Sequence, residues 1–220
     1  MIILLLIQLF ARKHGFLRVD DDDEFAASQK MLIETLGWEV ITYASAPEFL
    51  SEDALERPGC LLLDVRMPAM TGLELQQELE KRNCQLPIIF LSAHGDIEMA
   101  VHTMRHGAVD FLEKPVEPQR LLARVTKAVA LSIQQTNEYE QLQKLVERIG
   151  KLSHRELEIA KLVSEGLRNK EIARKLGIEE TTVKMHRANA MAKLAANTSA
   201  ELTRLFTIFE IKLKSGERPV

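Results

Sequence analysis

Short apolar runs alternate with longer amphipathic segments along residues 15–131. Such runs are typical of buried strands, and the amphipathic segments between them are typical of covering helices. The predicted strands are residues 16–19, 39–43, 60–63, 88–91 and 109–112, and the predicted helices are residues 24–36, 46–55, 72–82, 96–105 and 118–131. This order predicts an α/β fold, a doubly wound five-stranded parallel sheet with helices on both faces.

The rest of the chain has the 3.6-residue period of helices. Residues 132–150 contain no proline and carry apolar side chains at helical spacing between Leu142 and Ile149, so we expect a helical linker. Four further helices are predicted at residues 155–165, 170–176, 181–194 and 200–211. The pattern divides the chain into an α/β domain at residues 15–131, a helical linker at 132–150 and an all-α domain at 151–212.

Acidic side chains follow two of the predicted strands. Asp20 to Asp23 come directly after the first strand, and Asp64 follows the third. The first and third strands can be neighbours in a doubly wound sheet, in which ligands bind beyond the carboxyl ends of the strands. Clustered carboxylates repel one another unless they share a cation, and an all-oxygen site suits Mg²⁺. We therefore expect Asp20 and Asp21 to hold Mg²⁺ beside Asp64.

A hydroxyl group and an ammonium group are predicted at the same edge of the sheet. Ser92 ends the fourth strand and Lys114 follows the fifth. Because Mg²⁺ accepts phosphate oxygens as ligands, this combination predicts a phosphate site. Asp64 is the candidate nucleophile towards phosphorus, and Ser92 and Lys114 are candidates to bind the equatorial phosphoryl oxygens.

These residues resemble the receiver domain of two-component response regulators, which has a flavodoxin-like fold. The similarity includes the acidic pair, the Asp-Val-Arg-Met-Pro segment that begins at Asp64, the pair Ser92-Ala93, Phe111, and Lys114-Pro115. The intervals of 43 residues from Asp21 to Asp64, 28 from Asp64 to Ser92 and 22 from Ser92 to Lys114 are similar to those of NarL/FixJ-type regulators.

The resemblance implies a role for each site residue. Asp64 would accept a phosphoryl group from a sensor histidine kinase. Asp21, Asp64 and the main-chain carbonyl of Arg66 would ligate Mg²⁺, and Asp20 would act through water. Phe111 would be an aromatic switch.

Two features depart from the family pattern. The four consecutive aspartates leave open which two form the acidic pair, since Asp21-Asp22 fits almost as well as Asp20-Asp21. Arg18 also interrupts a strand that is expected to be buried and apolar.

The basic second half contains a predicted helix-turn-helix. Its turn is expected at Leu176-Gly177-Ile178, between one helix with Ile172 on its apolar stripe and a second with Val183 on its stripe. The opposite face of the second helix presents Lys184, Met185, Arg187 and Ala188 to solvent or to a DNA major groove.

The amino-acid sequence of this segment closely resembles the LuxR-type DNA-binding domain. The similarity includes Asn-Lys-Glu-Ile-Ala-Arg-Lys-Leu-Gly-Ile from Asn169 and Thr-Thr-Val-Lys-Met-His-Arg from Thr181. The resemblance implies that the helix at residues 181–194 enters the major groove of double-stranded DNA. Lys184 and Met185 would then contact bases. The implied phosphate contacts are Asn169, Lys170, Thr181, Thr182 and Lys193.

Charge and cysteine content indicate the kind of ligand and the cellular compartment. The formal net charge of −3 divides into −7 for residues 1–130 and +4 for residues 131–220, which favours polyanion binding by the second half only. Cys60 and Cys84 form no disulfide or zinc motif, so we expect a reducing cytoplasm. His14, His94, His102 and His106 are interpreted as lying outside metal-ligand spacing.

The apolar segment at residues 1–10 is too short to span a bilayer, which requires about 20 apolar residues. It also lacks the flanking features of a signal peptide, so no membrane association is expected. Its role is left open between an additional packed element and a start site upstream of the natural one.

The leading functional hypothesis is a transcription factor, not an enzyme, in which phosphorylation of Asp64 promotes homodimerisation and DNA binding. The alternative is a DNA-binding regulator whose receiver is not phosphorylated and serves as a dimerisation or docking module. A Mg²⁺-dependent phosphatase is disfavoured, because Arg66 occupies the position where a second carboxylate would act as acid and base. The kinase, the signal, the promoters and the sign of regulation are not encoded in any motif.

Overall fold

The computed structural model describes residues 15–19, 23–51, 58–93 and 97–214. Five parallel strands form one sheet in this part of the chain. They are β1 (Gly15–Val19), β2 (Glu39–Tyr43), β3 (Leu61–Asp64), β4 (Ile88–Ser92) and β5 (Asp110–Glu113). Their order is β2-β1-β3-β4-β5, so the winding reverses beside β1. The predicted doubly wound parallel fold is confirmed, and every predicted strand overlaps an observed one.

Helices cover both faces of this sheet. They are α1 (Asp23–Glu34), α2 (Ala46–Ser51), α3 (Gly72–Lys81), α4 (Ile97–Arg105) and α5 (Pro118–Gly150). Leu61 and Leu63 pack in one core with side chains of α2 and α3, whereas Leu62 packs in the other core with side chains of α1 and α5. All three leucines are fully buried, and each burial contributes about 2 kcal/mol.

Helix α5 continues without a break through residues 132–150, so the segment expected to be a helical linker is helical. The chain divides into two compact units within this helix, between Thr136 and Asn137. Neither α5 nor any other helix in the described ranges is long and apolar enough to cross a membrane.

Four further helices build the second unit. They are α6 (His154–Ser164), α7 (Asn169–Leu176), α8 (Glu180–Leu194) and α9 (Ser199–Lys214). Helix α6 begins with a capping box, in which the amide of Glu156 donates to the hydroxyl of Ser153 and the amide of Ser153 donates to the carboxylate of Glu156. The core between the helices includes the fully buried residues Ile159, Ile172, Val183, Ala190, Leu194 and Leu202.

The loop between β3 and α3 packs closely against the main chain at the end of β3. The amide of Gly72 donates to the carbonyl of Val65 at 3.0 Å. A Cβ atom at position 72 would lie 2.2 Å from the carbonyl oxygen of Asp64, a distance that real Cβ atoms essentially never show. Since the obstacle is main chain rather than a movable side chain, only glycine fits here without displacing the backbone beneath Asp64.

We therefore expect Gly72→Ala to lower the free energy of unfolding of the first unit by about 1–3 kcal/mol, because the added methyl forces a backbone shift. Urea unfolding followed by the fluorescence of Trp38 measures this unit, since Trp38 is the only tryptophan and is buried in its core. Gly150→Ala is the control, because a Cβ at that helical position meets nothing within 4 Å. An unchanged Trp38 transition in Gly72→Ala would show that the backbone can yield at this point.

Candidate functional site

Asp64 and Lys114 form an ion pair at the carboxyl edge of the sheet. The Nζ atom of Lys114 donates to Oδ2 of Asp64, and the main-chain amide of Arg66 donates to Oδ1 at 3.0 Å. The side chain of Lys114 is only 15% exposed and that of Asp64 only 12%, so water screens their attraction less than at an open surface. Strand β3 and the chain after β5 thus hold one carboxylate in a fixed orientation.

Ser92 lies at the same edge, at the end of β4. Its side chain is buried, and the register of β3 and β4 places it one residue beyond the pair of Asp64 and Leu91. The amide of Lys114 donates to the carbonyl of Ser92 at 2.7 Å, which anchors the lysine to β4. The structure therefore brings together three of the residues that the sequence assigned to a phosphate site.

Phe111 lies inside β5 rather than at its end. It pairs with Phe90 and packs, partly buried, against the core that contains Leu61 and Leu63. Ala93, the residue after Ser92, is exposed. The role of Phe111 as a switch stays a prediction.

The predicted metal ligands Asp20 and Asp21 lie outside the described residues, as does Asp22. The described part of β1 ends at Val19, which pairs with Leu63 of β3. The carboxyl end of the described strand therefore lies at the edge of the sheet where Asp64 is located. The contact between the main-chain carbonyl of Arg66 and a metal stays a prediction.

Gly72 also belongs to this site, although the sequence pattern predicted it only as the first residue of a helix. Its close approach to the Asp64 carbonyl fixes the backbone on which the carboxylate stands. The available signal was a glycine directly after a helix-capping threonine, Thr71, in a helix that otherwise lacks glycine.

The second unit contains the predicted helix-turn-helix, formed by α7 and α8. Helix α7 ends at Gly177 in a left-handed conformation with φ of 65°, and the amide of Ile178 donates to the carbonyl of Ala173 at 3.1 Å. Ile172 and Val183 are both fully buried, so the two predicted apolar stripes face each other in the core. The other face of α8 is left for solvent or a ligand.

Exposed side chains of α8 include the two predicted base readers. The side chain of Lys184 is 60% exposed, with its Nζ atom 3.2 Å from Glu180 one turn earlier, and Met185 is 53% exposed. Thr181 is exposed and Thr182 is half-buried at the start of the same helix, and Lys170 is exposed at the start of α7. These groups are positioned to meet a ligand without unfolding any element.

Two predicted DNA contacts of α8, Arg187 and Lys193, are engaged inside the unit, and a third, Asn169, is the partner of Arg187. Arg187 donates from Nη1 to Oδ1 of Asn169 at 2.8 Å and from Nη2 to the hydroxyl of Ser199. Lys193 donates to the buried carboxylate of Glu156 at 2.6 Å. These contacts connect α8 with the beginnings of α6, α7 and α9, so both side chains stabilise the unit whatever else they bind.

Two protein families match the chain, one in each of its two compact units. Residues 16–126 match the family of response regulator receiver domains, and residues 150–206 match the luxR family of bacterial regulatory proteins. The chain belongs to the two-component response regulators. It combines a receiver with a LuxR-type DNA-binding domain, is of the NarL/FixJ type, and is a transcriptional regulator rather than an enzyme.

Relatives of this response regulator match it over most of both chains. The response regulator protein TodT of Pseudomonas putida is 40% identical over 187 residues, which are 85% of this chain and 82% of TodT. Nodulation protein W of Bradyrhizobium diazoefficiens is 40% identical and covers 91% and 88%. The transcriptional regulatory protein FixJ of Azorhizobium caulinodans is 38% identical and covers 85% and 89%.

Solved structures agree with this assignment. The response regulator StyR has a TM-score of 0.82 at 40% identity, with 89% of this chain and 98% of StyR covered. Full-length FixJ from B. japonicum has a TM-score of 0.54 at 35% identity, with 94% and 99% covered.

The contact between Glu156 and Lys193 makes the stability of the DNA-binding unit depend on pH. The Lys193 ammonium, and then the amide of Ser153, lower the pKa of Glu156 to about 2. A depressed pKa means that the carboxylate stabilises the fold above its unfolded pKa of about 4.5 and that this contribution is lost as the pH falls towards about 2.

We expect Glu156→Gln to destabilise this unit at neutral pH and the difference from the wild type to shrink as the pH falls below about 4.5. Urea titrations at several pH values, followed through the NMR signals of α8 amides, measure this. Glu140→Gln is the matched control, because Glu140 is 58% exposed and pairs with Lys144 one turn away on the same helix. A constant difference across the pH range would contradict the assignment.

Proposed function

We propose that Asp64 is the phosphoryl acceptor of this response regulator and that a sensor histidine kinase is the donor. The observation that carries the proposal is the carboxylate of Asp64, held between Lys114 and the amide of Arg66 at the end of a central strand. The proposed extents are residues 15–131 for the receiver, 132–150 for the linker and 151–212 for the DNA-binding domain. The proposed compartment is the cytoplasm.

Transfer forms a bond between a carboxylate oxygen of Asp64 and phosphorus while the bond between phosphorus and the histidine nitrogen of the kinase breaks. The phosphoryl group brings negative charge to a place where Lys114 already donates to the acceptor carboxylate. We propose that Lys114 and Ser92 then bind the phosphoryl oxygens. The buried position of Ser92 at the neighbouring strand end supports this role.

Mg²⁺ is the proposed cofactor, with Asp21, Asp64 and the main-chain carbonyl of Arg66 as ligands and with Asp20 acting through water. The donor set fits, because carboxylate and carbonyl oxygens are the ligands that Mg²⁺ prefers. When bound, the ion neutralises charge on the phosphoryl oxygens. The protein's own contribution is to keep the Asp64 carboxylate in place through Gly72, Arg66 and Lys114.

Phosphorylation is proposed to rearrange Ser92 and Phe111 and thereby to favour a homodimer. The proposed dimer surface comprises α4, β5 and the part of α5 within the receiver. Pairing two receivers links two weakly binding DNA modules, so the gain in DNA affinity comes from effective concentration. The partly buried position of Phe111 in β5, packed against the core of the receiver, supports its role as a relay.

Double-stranded DNA is the proposed ligand of the second unit, with α8 in the major groove. Lys184 is proposed to read bases through its ammonium and Met185 through contact with a thymine methyl. The proposed phosphate contacts are Asn169, Lys170, Thr181, Thr182 and Lys193. Arg187 is proposed to contact DNA from the face of α8 that is turned to the groove, and it uses two of its five N–H donors within the unit.

Asp64→Asn is expected to abolish phosphate incorporation from acetyl phosphate and Mg²⁺, because the amide is not a nucleophile for this transfer. Intact-protein mass spectrometry measures incorporation, and sedimentation velocity on the same samples measures dimerisation. Glu113→Gln is the control, because Glu113 is an exposed carboxylate next to Lys114. Incorporation by Asp64→Asn at the wild-type level would place the acceptor elsewhere, and none in the wild type would favour a receiver that is not phosphorylated.

Lys184→Ala is expected to weaken binding to a selected DNA duplex by about 1–3 kcal/mol and to relax its sequence preference, since a base contact is lost. Lys170→Ala is expected to weaken binding to all duplexes alike and to reduce the salt slope by about 1. Fluorescence anisotropy at several salt concentrations measures both effects, with Lys144→Ala, an exposed lysine of α5, as the control. A sequence preference that survives Lys184→Ala would exclude Lys184 as a base reader.

A further inference from the structure

Two histidines form a pair at the end of α4. The imidazole rings of His102 and His106 are stacked, with centroids 4.3 Å apart and planes inclined by 23°. His102 is in the last turn of α4 and His106 directly follows its last residue, Arg105. The His106 amide still donates to the His102 carbonyl, so the two side chains lie on the same side, and both are exposed. The sequence analysis interpreted each of these histidines as lying outside metal-ligand spacing, and the structure shows that the rings of His102 and His106 are in contact.

The geometry points to a binding site for a divalent transition-metal ion such as Zn²⁺, Ni²⁺ or Cu²⁺ at His102 and His106. Two histidines at i and i+4 on a helix present their ring nitrogens to one ion, and imidazole is a preferred ligand of these metals. The site is separate from the oxygen-ligand site proposed around Asp64 and does not depend on the function proposed there.

A hydrogen bond through one ring nitrogen fixes the imidazole of His106. Its Nδ1 atom lies 2.9 Å from the carbonyl oxygen of His102. A carbonyl can only accept, so Nδ1 carries the proton and, in the neutral ring, Nε2 carries the free lone pair. A second ring nitrogen bonded to a backbone carbonyl is the usual arrangement of metal-binding histidines, since it fixes the ring orientation.

The backbone that carries the pair is held from beneath by Gln76. This side chain, 2% exposed, donates from Nε2 to the carbonyls of Thr103 at 3.1 Å and His106 at 2.9 Å. The amide of His106 is bonded to the carbonyl of His102 at 3.2 Å. The two histidine side chains can therefore reorient towards an ion while the main chain that carries them stays in place.

Charge and ligand number set the expected strength. The C-terminal end of a helix carries a partial negative charge that favours a cation, whereas the neighbouring Arg105 opposes it. No third histidine, cysteine or acidic side chain joins the pair among the residues whose placement is described, so water completes the coordination. We expect weaker binding than at a structural zinc site with four protein ligands.

Calorimetric titration of the untagged full-length chain with ZnCl₂ or NiCl₂, in excess MgCl₂, tests the site. We expect one equivalent to bind through the pair, and His102→Gln or His106→Gln to weaken this binding by about 100-fold, because the second ligand of a chelate acts at a high effective concentration. Zn²⁺ is also expected to raise the melting temperature of the wild type and not that of the double variant.

Three controls make the result specific. His154→Gln removes an exposed histidine of the second unit, and Asp64→Asn removes the oxygen-ligand site, so both are expected to keep the wild-type affinity. Met104→His combined with His106→Gln keeps the number of histidines but places them two residues apart, on different faces of the helix, and is expected to bind like the single variants. Wild-type affinity in His102→Gln, in His106→Gln or in this spacing variant would overturn the proposal, and unchanged Trp38 unfolding transitions would show that the variants are folded.

Discussion

An ion pair between side chains 50 residues apart organises the edge of the receiver sheet. The Lys114 side chain reaches Asp64 across the end of β4, which lies between β3 and β5, and the Lys114 amide is bonded to the Ser92 carbonyl of that strand. The pair is mostly shielded from water, so a change of charge on either partner is felt strongly. In the proposed phosphorylation, the negative charge added at Asp64 would act directly on Lys114, its ion-pair partner.

Basic side chains of the second unit divide into structural and exposed groups. Arg187 and Lys193 fasten α8 to neighbouring helix ends through Asn169 and Glu156. Lys184 and Lys170 remain exposed. The net positive charge of this half therefore does not equal the number of its DNA contacts. Some of its basic side chains bind carboxylate, amide and hydroxyl groups of the same unit.

Sequence patterns predicted the elements well and their contacts less well. The third strand, expected at residues 60–63, is observed at Leu61–Asp64 because Asp64 still pairs with Leu91 of β4. Arg18 did not prevent β1 from forming, since β1 is paired on both sides by β2 and β3. Gly72 was predicted only as the start of a helix. No local sequence pattern indicates that the carbonyl oxygen of Asp64 lies where a Cβ atom at position 72 would be.

The sequence by itself determined the alternation of strands and helices, the chemical groups that follow each strand, and the helix-turn-helix. These features depend on periodicity and on neighbours within a few residues, which are visible in one chain. Only the tertiary structure decided that Lys114 meets Asp64, that Lys193 meets Glu156 and that Gln76 supports the turn carrying His106. Charge pairing and close packing depend on distances between residues far apart in sequence, and the fold alone sets those distances.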